Sequence, residues 1–426
     1  MRGHAFDHDQ SVRPNAWVRR LFPPLTQLTP TDGGARARVS IVVLARDEER
    51  CIARCLDSLV GGGFDDILVI DTGSVDATTD IVGRYRGSGV RLVQCRWPDS
   101  FADVRNFAIE TVGSGWVVFV DADEWLTERS TEQLRACLSS LDGLAGLSRL
   151  TFAPKIYDAQ SGEFDEERPR ILRAESPIRF RGPVHEYPVL PGDEENPVGL
   201  VSLDIDLLHD GDDRRIAEAK GRLARNLALL EAARASDPDN PRWLFHQLRD
   251  PLPTLDGARI GELCAALGEL ARTRTATGDR YDARAYYRRA LSLSCQRLVA
   301  LGRPRAVDHH CAELDALDGG DNPDAHYFRS LLALLAGAGT AADLVRSVRL
   351  RRDDALVASS AISPTGRHLD ALIVTQLATF HSDAEAARYR ELCEPWDDVF
   401  FERSVLRPEL GAAVPRPLVA GRPGGD

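Results

Sequence analysis

Trp116-Val117-Val118-Phe119-Val120-Asp121-Ala122-Asp123-Glu124 is the stretch that decides the fold of the first half of this chain. A run of β-branched and aromatic residues with no polar interruption is the texture of a strand buried on both faces. It ends abruptly on two aspartates spaced i and i+2. Working back toward the N-terminus, Val39–Leu44, Asp66–Ile70 and Val90–Gln94 repeat the apolar texture. Between them, Asp47–Val60, Thr78–Tyr85 and Phe101–Thr111 carry helical spacing, with Ile52, Leu56 and Leu59 on one face of the first and Gly61–Gly63 ending it. Strands alternating with helices at this pitch predict right-handed βαβ units and a largely parallel sheet. Open sheets of this class bind ligands at the C-terminal ends of their strands, where Arg46–Glu48, Asp71–Ser74 and Asp121–Glu124 all lie.

Outward from this core the texture changes twice. Residues 1–37, with Pro14, Pro23, Pro24 and Pro30, read as an N-terminal tail with a short helix around Trp17–Leu21. From Leu147 to about His209 short extended segments alternate with Pro and Gly and complete the first domain, residues 38–212. Residues 213–400 read as helix throughout, with Asp212 or Asp213 as N-cap of a first helix through Ala219, Leu223, Leu227 and Leu230. Gly278-Asp279-Arg280-Tyr281-Asp282-Ala283, followed by Tyr287 and Ala290, fits the second helix of a tetratricopeptide repeat (TPR). Small Ala283 and Ala290 let two helices approach while Tyr287 fills the gap, so this domain is expected to be TPR-like. Residues 401–426, rich in Pro and Gly, read as a C-terminal tail.

The length of 426 residues suggests two to three domains, and 43% hydrophobic with 28% charged residues is ordinary for a globular protein. The net charge of −12 argues against non-specific nucleic-acid binding. All but two of the basic residues are arginine, the better residue for bidentate phosphate contacts. The longest apolar runs, Ile41–Ala45 and Leu331–Gly339, are too short to span a membrane, and no secretory h-region follows the N-terminus. Eight cysteines without a CxxC pair, Cys51 and Cys55 reading as core thiols one helical turn apart, suit a reduced, cytoplasmic protein.

Asp121 and Asp123 converge if the chain bends just past the strand, and converged carboxylates suit Mg²⁺ or Mn²⁺. Asp71-Thr72-Gly73-Ser74-Val75-Asp76 places an aspartate at the end of a second strand, able to accept from a base or sugar hydroxyl; Ser74 or Asp76 can equally cap the βα turn. Arg105 offers a guanidinium for a diphosphate and Asn106 an amide for orientation. No G-x-G-x-x-G or P-loop motif is present. His309-His310-Cys311 falls in a helical stretch where adjacent residues diverge, which disfavours a metal cluster.

These residues, in this order, resemble the family 2 glycosyltransferases of the GT-A fold. Ser40–Glu49 looks like the family's opening strand, with Asp47-Glu48 where Asn-Glu is usual, and Val69–Thr78 resembles its second signature. Trp97, Phe101-Ala102 and Arg105-Asn106 match the segment before the third strand, and Trp116–Leu126 matches the metal-binding strand of the branch carrying D-A-D-E. The resemblance spans about residues 39–211. It implies that Ala45, Glu48 and Asp71 line the base pocket and that Arg105 faces the diphosphate. It places Asp121 and Ala122 at the donor, Asp121 on ribose or metal, and Asp123 on the metal. Arg168-Pro169-Arg170-Ile171-Leu172-Arg173 and Phe180–Glu186 resemble a downstream block. There His185 or Glu186 is a candidate base, or Glu186 simply pairs with an arginine. His209 matches as a third metal ligand or diphosphate contact, or else as a packing residue.

A GT-A domain joined to TPR-like helices is similar to the peptide and protein glycosyltransferases of this branch, among them the S-glycosyltransferases of bacteriocin-type peptides. The expected activity is metal-dependent, inverting transfer of a hexose from a nucleotide-diphospho sugar, a UDP-sugar in the first instance, to Cys, Ser or Thr of a peptide. The helical domain would hold the peptide or a second copy of the chain. The alternatives are the same reaction on a cell-envelope glycan or small natural product, and a non-catalytic TPR scaffold.

Overall fold

The structure is a computed structural model that describes residues 18–22, 38–142, 144, 146–159, 164–192, 198–210, 221–277 and 281–393. In chain order the elements of the first part are β1 (Val18–Phe22), β2 (Val39–Ala45), α1 (Ile52–Leu59), β3 (Asp66–Asp71), α2 (Thr78–Gly83), β4 (Val90–Gln94), α3 (Phe101–Val112), β5 (Trp116–Asp121), β6 (Glu124–Trp125) and α4 (Glu128–Asp142). They continue as β7 (Leu150–Asp158), β8 (Phe164–Asp165), β9 (Ile171–Arg173), β10 (Arg179–Arg181), β11 (Tyr187–Val189) and β12 (Gly199–His209). By compactness the chain divides at Leu229/Leu230.

The main sheet runs β1-β12-β7-β9-β5-β2-β3-β4, with β6 paired to β12 and β8 to β7. Strands β5, β2, β3 and β4 are mutually parallel, as are β7 and β12, while β9 runs antiparallel between β5 and β7. Together these make a mostly parallel GT-A-type sheet, as the alternating pattern predicts. The period-2 rule explains why its strands are apolar throughout. Ile41, Val43, Ile67, Val69, Trp116, Val118 and Val120 point into a core shared with Ile52 and Leu56 of α1, Val82 of α2 and Leu134 and Leu138 of α4. Val42, Leu68, Ile70, Val117 and Phe119 point the other way, onto Ala102, Ala108 and Ile109 of α3 and onto Phe180. Each fully buried aliphatic side chain contributes about 1.5–3 kcal/mol to this arrangement.

Two expectations are corrected. Val18–Phe22, expected within a short helix around Trp17–Leu21, is an antiparallel edge strand on β12. Five residues gain more from completing a ladder than from one isolated helical turn. Helix α1 starts at Ile52 rather than Asp47. The Asp47, Glu48 and Glu49 amides instead donate to Ser74 Oγ, Thr78 Oγ1 and Asp76 Oδ2, at 2.9, 2.7 and 3.1 Å.

The remaining helices are α5 (Arg222–Ser236), α6 (Pro241–Arg249), α7 (Gly257–Thr277), α8 (Ala283–Ala300), α9 (Pro304–Asp318), α10 (Pro323–Leu335), α11 (Ala341–Arg351), α12 (Asp354–Ala358), α13 (Arg367–Phe380) and α14 (Asp383–Leu392). Among its described residues the second unit is built from helices, packed through Leu263, Leu267, Leu291, Leu298, Val307, Leu314, Phe328 and Leu372. Ala283 and Ala290 are fully buried, and the Tyr287 ring lies against Gly268 of α7 while its hydroxyl donates to Glu313 of α9 at 3.1 Å. The TPR-like reading of this seam therefore corresponds to real packing; Gly278–Arg280, and Asp212, Asp213 and Ala219 at the first helix, lie outside the described residues. His310 and Cys311 are buried in α9 while His309 is exposed, so that triplet does not converge.

Candidate active site

The loops after β2 and β3 are clasped together before any ligand is considered. Asp47, in a left-handed conformation (φ +55°), accepts from the Val75 amide at 2.8 Å, and Glu49 accepts from the Ala77 amide at 2.9 Å. Asp76 Oδ1 accepts from the Thr78 amide at 2.9 Å and caps the turn into α2. Ala45 O accepts from the Thr72 amide at 3.0 Å, and the carboxylate of Asp71, 1% exposed, accepts from the Gly73 and Ser74 amides at 3.2 Å. Gly73 (φ +103°) opens on space where a Cβ would meet nothing, so backbone is accessible at this turn. Ala45, Glu48 and Asp71 are thus brought to one rim of the sheet, with Asp71 held rigidly by its own turn.

The β5 end is held by two arginines. Register places Arg170 opposite Phe119, whose amide donates to Arg170 O at 2.8 Å. From there the guanidinium, 4% exposed, forks onto Asp121, Nη1 to Oδ1 at 2.9 Å and Nη2 to Oδ2 at 2.5 Å. Nη2 also donates to Glu124 Oε1 at 2.8 Å, and Glu124 Oε2 accepts from the Asp121 amide at 2.8 Å. Burial disfavours ionisation of Asp121, but the charges of Arg170 and Arg105 outweigh it and hold the carboxyl well below its usual range. For Glu124, 1% exposed, burial wins over Arg170 and pushes the carboxyl up.

Arg105 comes from α3 and is 8% exposed. Its Nε donates to Glu186 Oε1 at 2.6 Å and its Nη2 lies 3.9 Å from Asp121 Oδ1. The guanidinium carbon sits 4.6 Å from the Phe119 ring centre and 5.4 Å from that of Phe180. Burial would raise the Glu186 carboxyl, yet Arg105 overrides it and holds it low. Glu186 therefore pairs with an arginine, one of the two readings its sequence leaves open. Neighbouring His185 is half-buried in a left-handed conformation (φ +51°). The Asn106 amide is occupied in structure: it donates to Phe180 O at 2.9 Å and accepts from the Phe180 amide at 2.8 Å.

Strand β6 pairs with the end of β12, Glu124 opposite His209, which carries His209 to the Asp123 turn. His209 Nε2 lies 3.4 Å from Asp123 Oδ2, and the Asp210 amide donates to Asp123 O at 3.3 Å. Asp210 in turn binds Arg50 and Arg54, each at 2.7 Å, and Arg54 stacks 3.8 Å over Trp125. A carboxylate oxygen and an imidazole nitrogen this close, on a turn pinned from both sides, fit a divalent cation. The residues without an anticipated role are Glu124 and Arg170. Their only signal is Glu124 three residues after Asp121, and an arginine entering a strand in Arg168-Pro169-Arg170.

Residues 40–160 match the family model described as glycosyl transferase family 2. The chain is 35% identical over 155 residues to the TPR repeat-containing protein Synpcc7942_0270 of Synechococcus elongatus, covering 36% of each chain. It is 27% identical over 203 residues to the SPbeta prophage-derived glycosyltransferase SunS of Bacillus subtilis, covering 48% of this chain and 46% of that one. Among solved structures, S. aureus TarS 1-349 overlaps 70% of this chain and 87% of its own with 15% identity and a TM-score of 0.35. The chain thus spans between about a third and a half of the length of the curated relatives it matches. Its sheet unit carries a glycosyl transferase family 2 domain.

Proposed function

We propose that this chain is a divalent-metal-dependent, inverting glycosyltransferase that moves a hexose from a UDP-sugar to a peptide side chain. The observation that carries this reading is that Asp71 and Asp121 end parallel strands on either side of β2, and that Asp123 lies 3.4 Å from His209, in a chain whose residues 40–160 match the family 2 model. Mn²⁺ or Mg²⁺, when bound, neutralises the departing nucleoside diphosphate. Asp123 and His209 are the residues that would hold it. Ala45, Glu48 and Asp71 bound the base pocket, with the exposed Gly73 backbone beside them. The Asp121 side chain is 40% exposed, and each oxygen keeps a lone pair beyond its arginine bond, so it can accept from a ribose hydroxyl.

On the acceptor side Glu186 is committed to Arg105, so it orients that guanidinium and His185 takes the acceptor's proton. The helical second unit supports a peptide acceptor, because helix-hairpin stacks present extended surfaces to chain segments. Eight free cysteines support a reducing, cytoplasmic setting. The test is nucleotide-sugar hydrolysis and thermal shift across a donor panel with and without Mn²⁺, beside Asp123→Ala. A metal-dependent response to one UDP-sugar that the variant loses is expected. No response to any nucleotide sugar would overturn the reading.

A further inference from the structure

Among the described residues, Arg170 is the side chain that bridges the two carboxylates flanking Asp123. It donates through Nη1 and Nη2 to both oxygens of Asp121 and through Nη2 to Glu124 Oε1. Glu124 closes the loop by accepting from the Asp121 amide, so side chain and backbone of the Asp121-Ala122-Asp123-Glu124 turn are fixed by one guanidinium. Asp123 has no contact with that guanidinium and faces His209 instead. Three carboxylates lie within four residues, and two are committed to an arginine that is 4% exposed.

We propose that Arg170 is a positioning residue that reserves Asp121 and Glu124 for itself, leaving Asp123 as the single carboxylate offered to the divalent ion. This inference rests on the metal-dependent reading above. Its consequence is a site that is deliberately weak when empty of donor. One carboxylate and one imidazole beside a fixed positive charge bind a hard cation poorly, so diphosphate oxygens must supply the remaining ligands. Ion and donor would then bind synergistically, and the free enzyme would not hold the ion in the wrong geometry. A lysine could not replace Arg170, since a point charge cannot fork onto Asp121 while reaching Glu124.

The experiment is Mn²⁺ titration of the full chain by electron paramagnetic resonance, with and without UDP, which needs no turnover. Wild type should bind Mn²⁺ at least about tenfold tighter with UDP present, since phosphates complete the coordination shell. Asp121→Asn should leave nucleotide-free affinity within about twofold, while Asp123→Asn weakens it by about tenfold or more, as loss of a direct ligand does. Arg170→Met should tighten nucleotide-free binding about fivefold or more by removing the fixed positive charge and releasing the Asp121 carboxylate toward the ion. If Arg170→Met fails to fold, Arg170→Met with Glu124→Gln removes the buried unpaired charge and makes the same measurement. Equal losses in Asp121→Asn and Asp123→Asn, or no gain on removing Arg170, would overturn the inference while leaving the transferase reading standing. Absence of Mn²⁺ binding to wild type with or without UDP would overturn both.

Discussion

The two units bury ionisable groups in opposite ways. In the sheet unit Arg105, Glu124, Arg170 and Glu186 come from four different segments and meet around Asp121 at one strand end. In the helical unit buried polar groups are spread along the seams between helices, and several find their partners locally. Asp324, fully buried in α10, accepts from Ser292 at 2.7 Å, Ser360 at 2.5 Å and the Ala361 amide at 2.9 Å. His326 bonds Ser347 at 2.8 Å, and Asp370 pairs with Arg351 at 2.7 Å and Tyr389 at 3.0 Å. Convergent charge stores electrostatic energy where a ligand can use it. Dispersed charge fixes which helix sits against which, because a mispaired seam would leave a carboxylate without its donors.

The largest test of this contrast sets Asp123→Ala against Asp324→Ala. Asp123→Ala should cut donor turnover by about 10²–10³-fold, the scale of losing a main electrostatic stabiliser, with little change in melting. Asp324→Ala strands two hydroxyls and an amide in the core and should cost about 3 kcal/mol of stability. Turnover and chemical denaturation on both proteins check the pair. If Asp123→Ala is as destabilising as Asp324→Ala, the sheet cluster is scaffold rather than site.

Acid should separate the units next. Burial lowers His310 and His326 from 6.5 to about 4, so both are neutral in the folded protein and protonate more readily when unfolded. Their contribution is therefore full above pH 6.5 and is lost as pH falls toward 4, up to about 3 kcal/mol each. In the sheet unit the depressed carboxyls are Asp121, Glu175, Glu186 and Asp210, whose contribution is present above the ordinary carboxylate range and lost only below it. Melting followed from pH 7.5 to 4.5 should fall, and His326→Gln should flatten the slope. An unchanged slope in that variant would remove His326 from the account.

The same contrast explains what the sequence made legible. Strand ends could be read because both faces of β2, β3 and β5 are buried, so apolar runs stop where the sheet stops and Asp71 and Asp121 stand out. Arg170 could not be read this way. Its partner lies 49 residues away, and only the antiparallel β5–β9 register brings the two together. Glu186 and Arg105, separated by 81 residues, were hidden for the same reason, and only the folded chain shows which arginine Glu186 meets. In the helical unit period alone gave helix, but Asp324 and His326 look like surface residues until α8, α11 and the Ser360 turn close over them. Val18–Phe22 shows the limit at short range, since five residues hold too little pattern to choose strand over helix without β12 beside them.

The smallest expected effect concerns the seam where local sequence and packing agree most closely. A Cβ on Gly268 of α7 would meet Tyr287 Cζ at 2.9 Å and Oη at 3.1 Å. Alanine in a helix is favoured over glycine by about 1 kcal/mol, so Gly268→Ala would stabilise if the seam were loose. The ring cannot retreat freely, because Oη donates to Glu313 and the Tyr287 side chain is already buried between α7 and α9. Overpacking at about 1–3 kcal/mol should therefore exceed the propensity gain and leave a net loss of about 1 kcal/mol. Adding Tyr287→Phe removes the contact at Oη and the tether to Glu313, which frees the ring to shift from the remaining Cζ contact, so the double variant should recover part of that loss. Denaturation midpoints of the two single variants and the double one give the coupling between them. A stabilised Gly268→Ala would mean that the α7–α8 approach is set elsewhere, and that the small-residue pattern of Ala283 and Ala290 rather than the Tyr287 contact holds the hairpin.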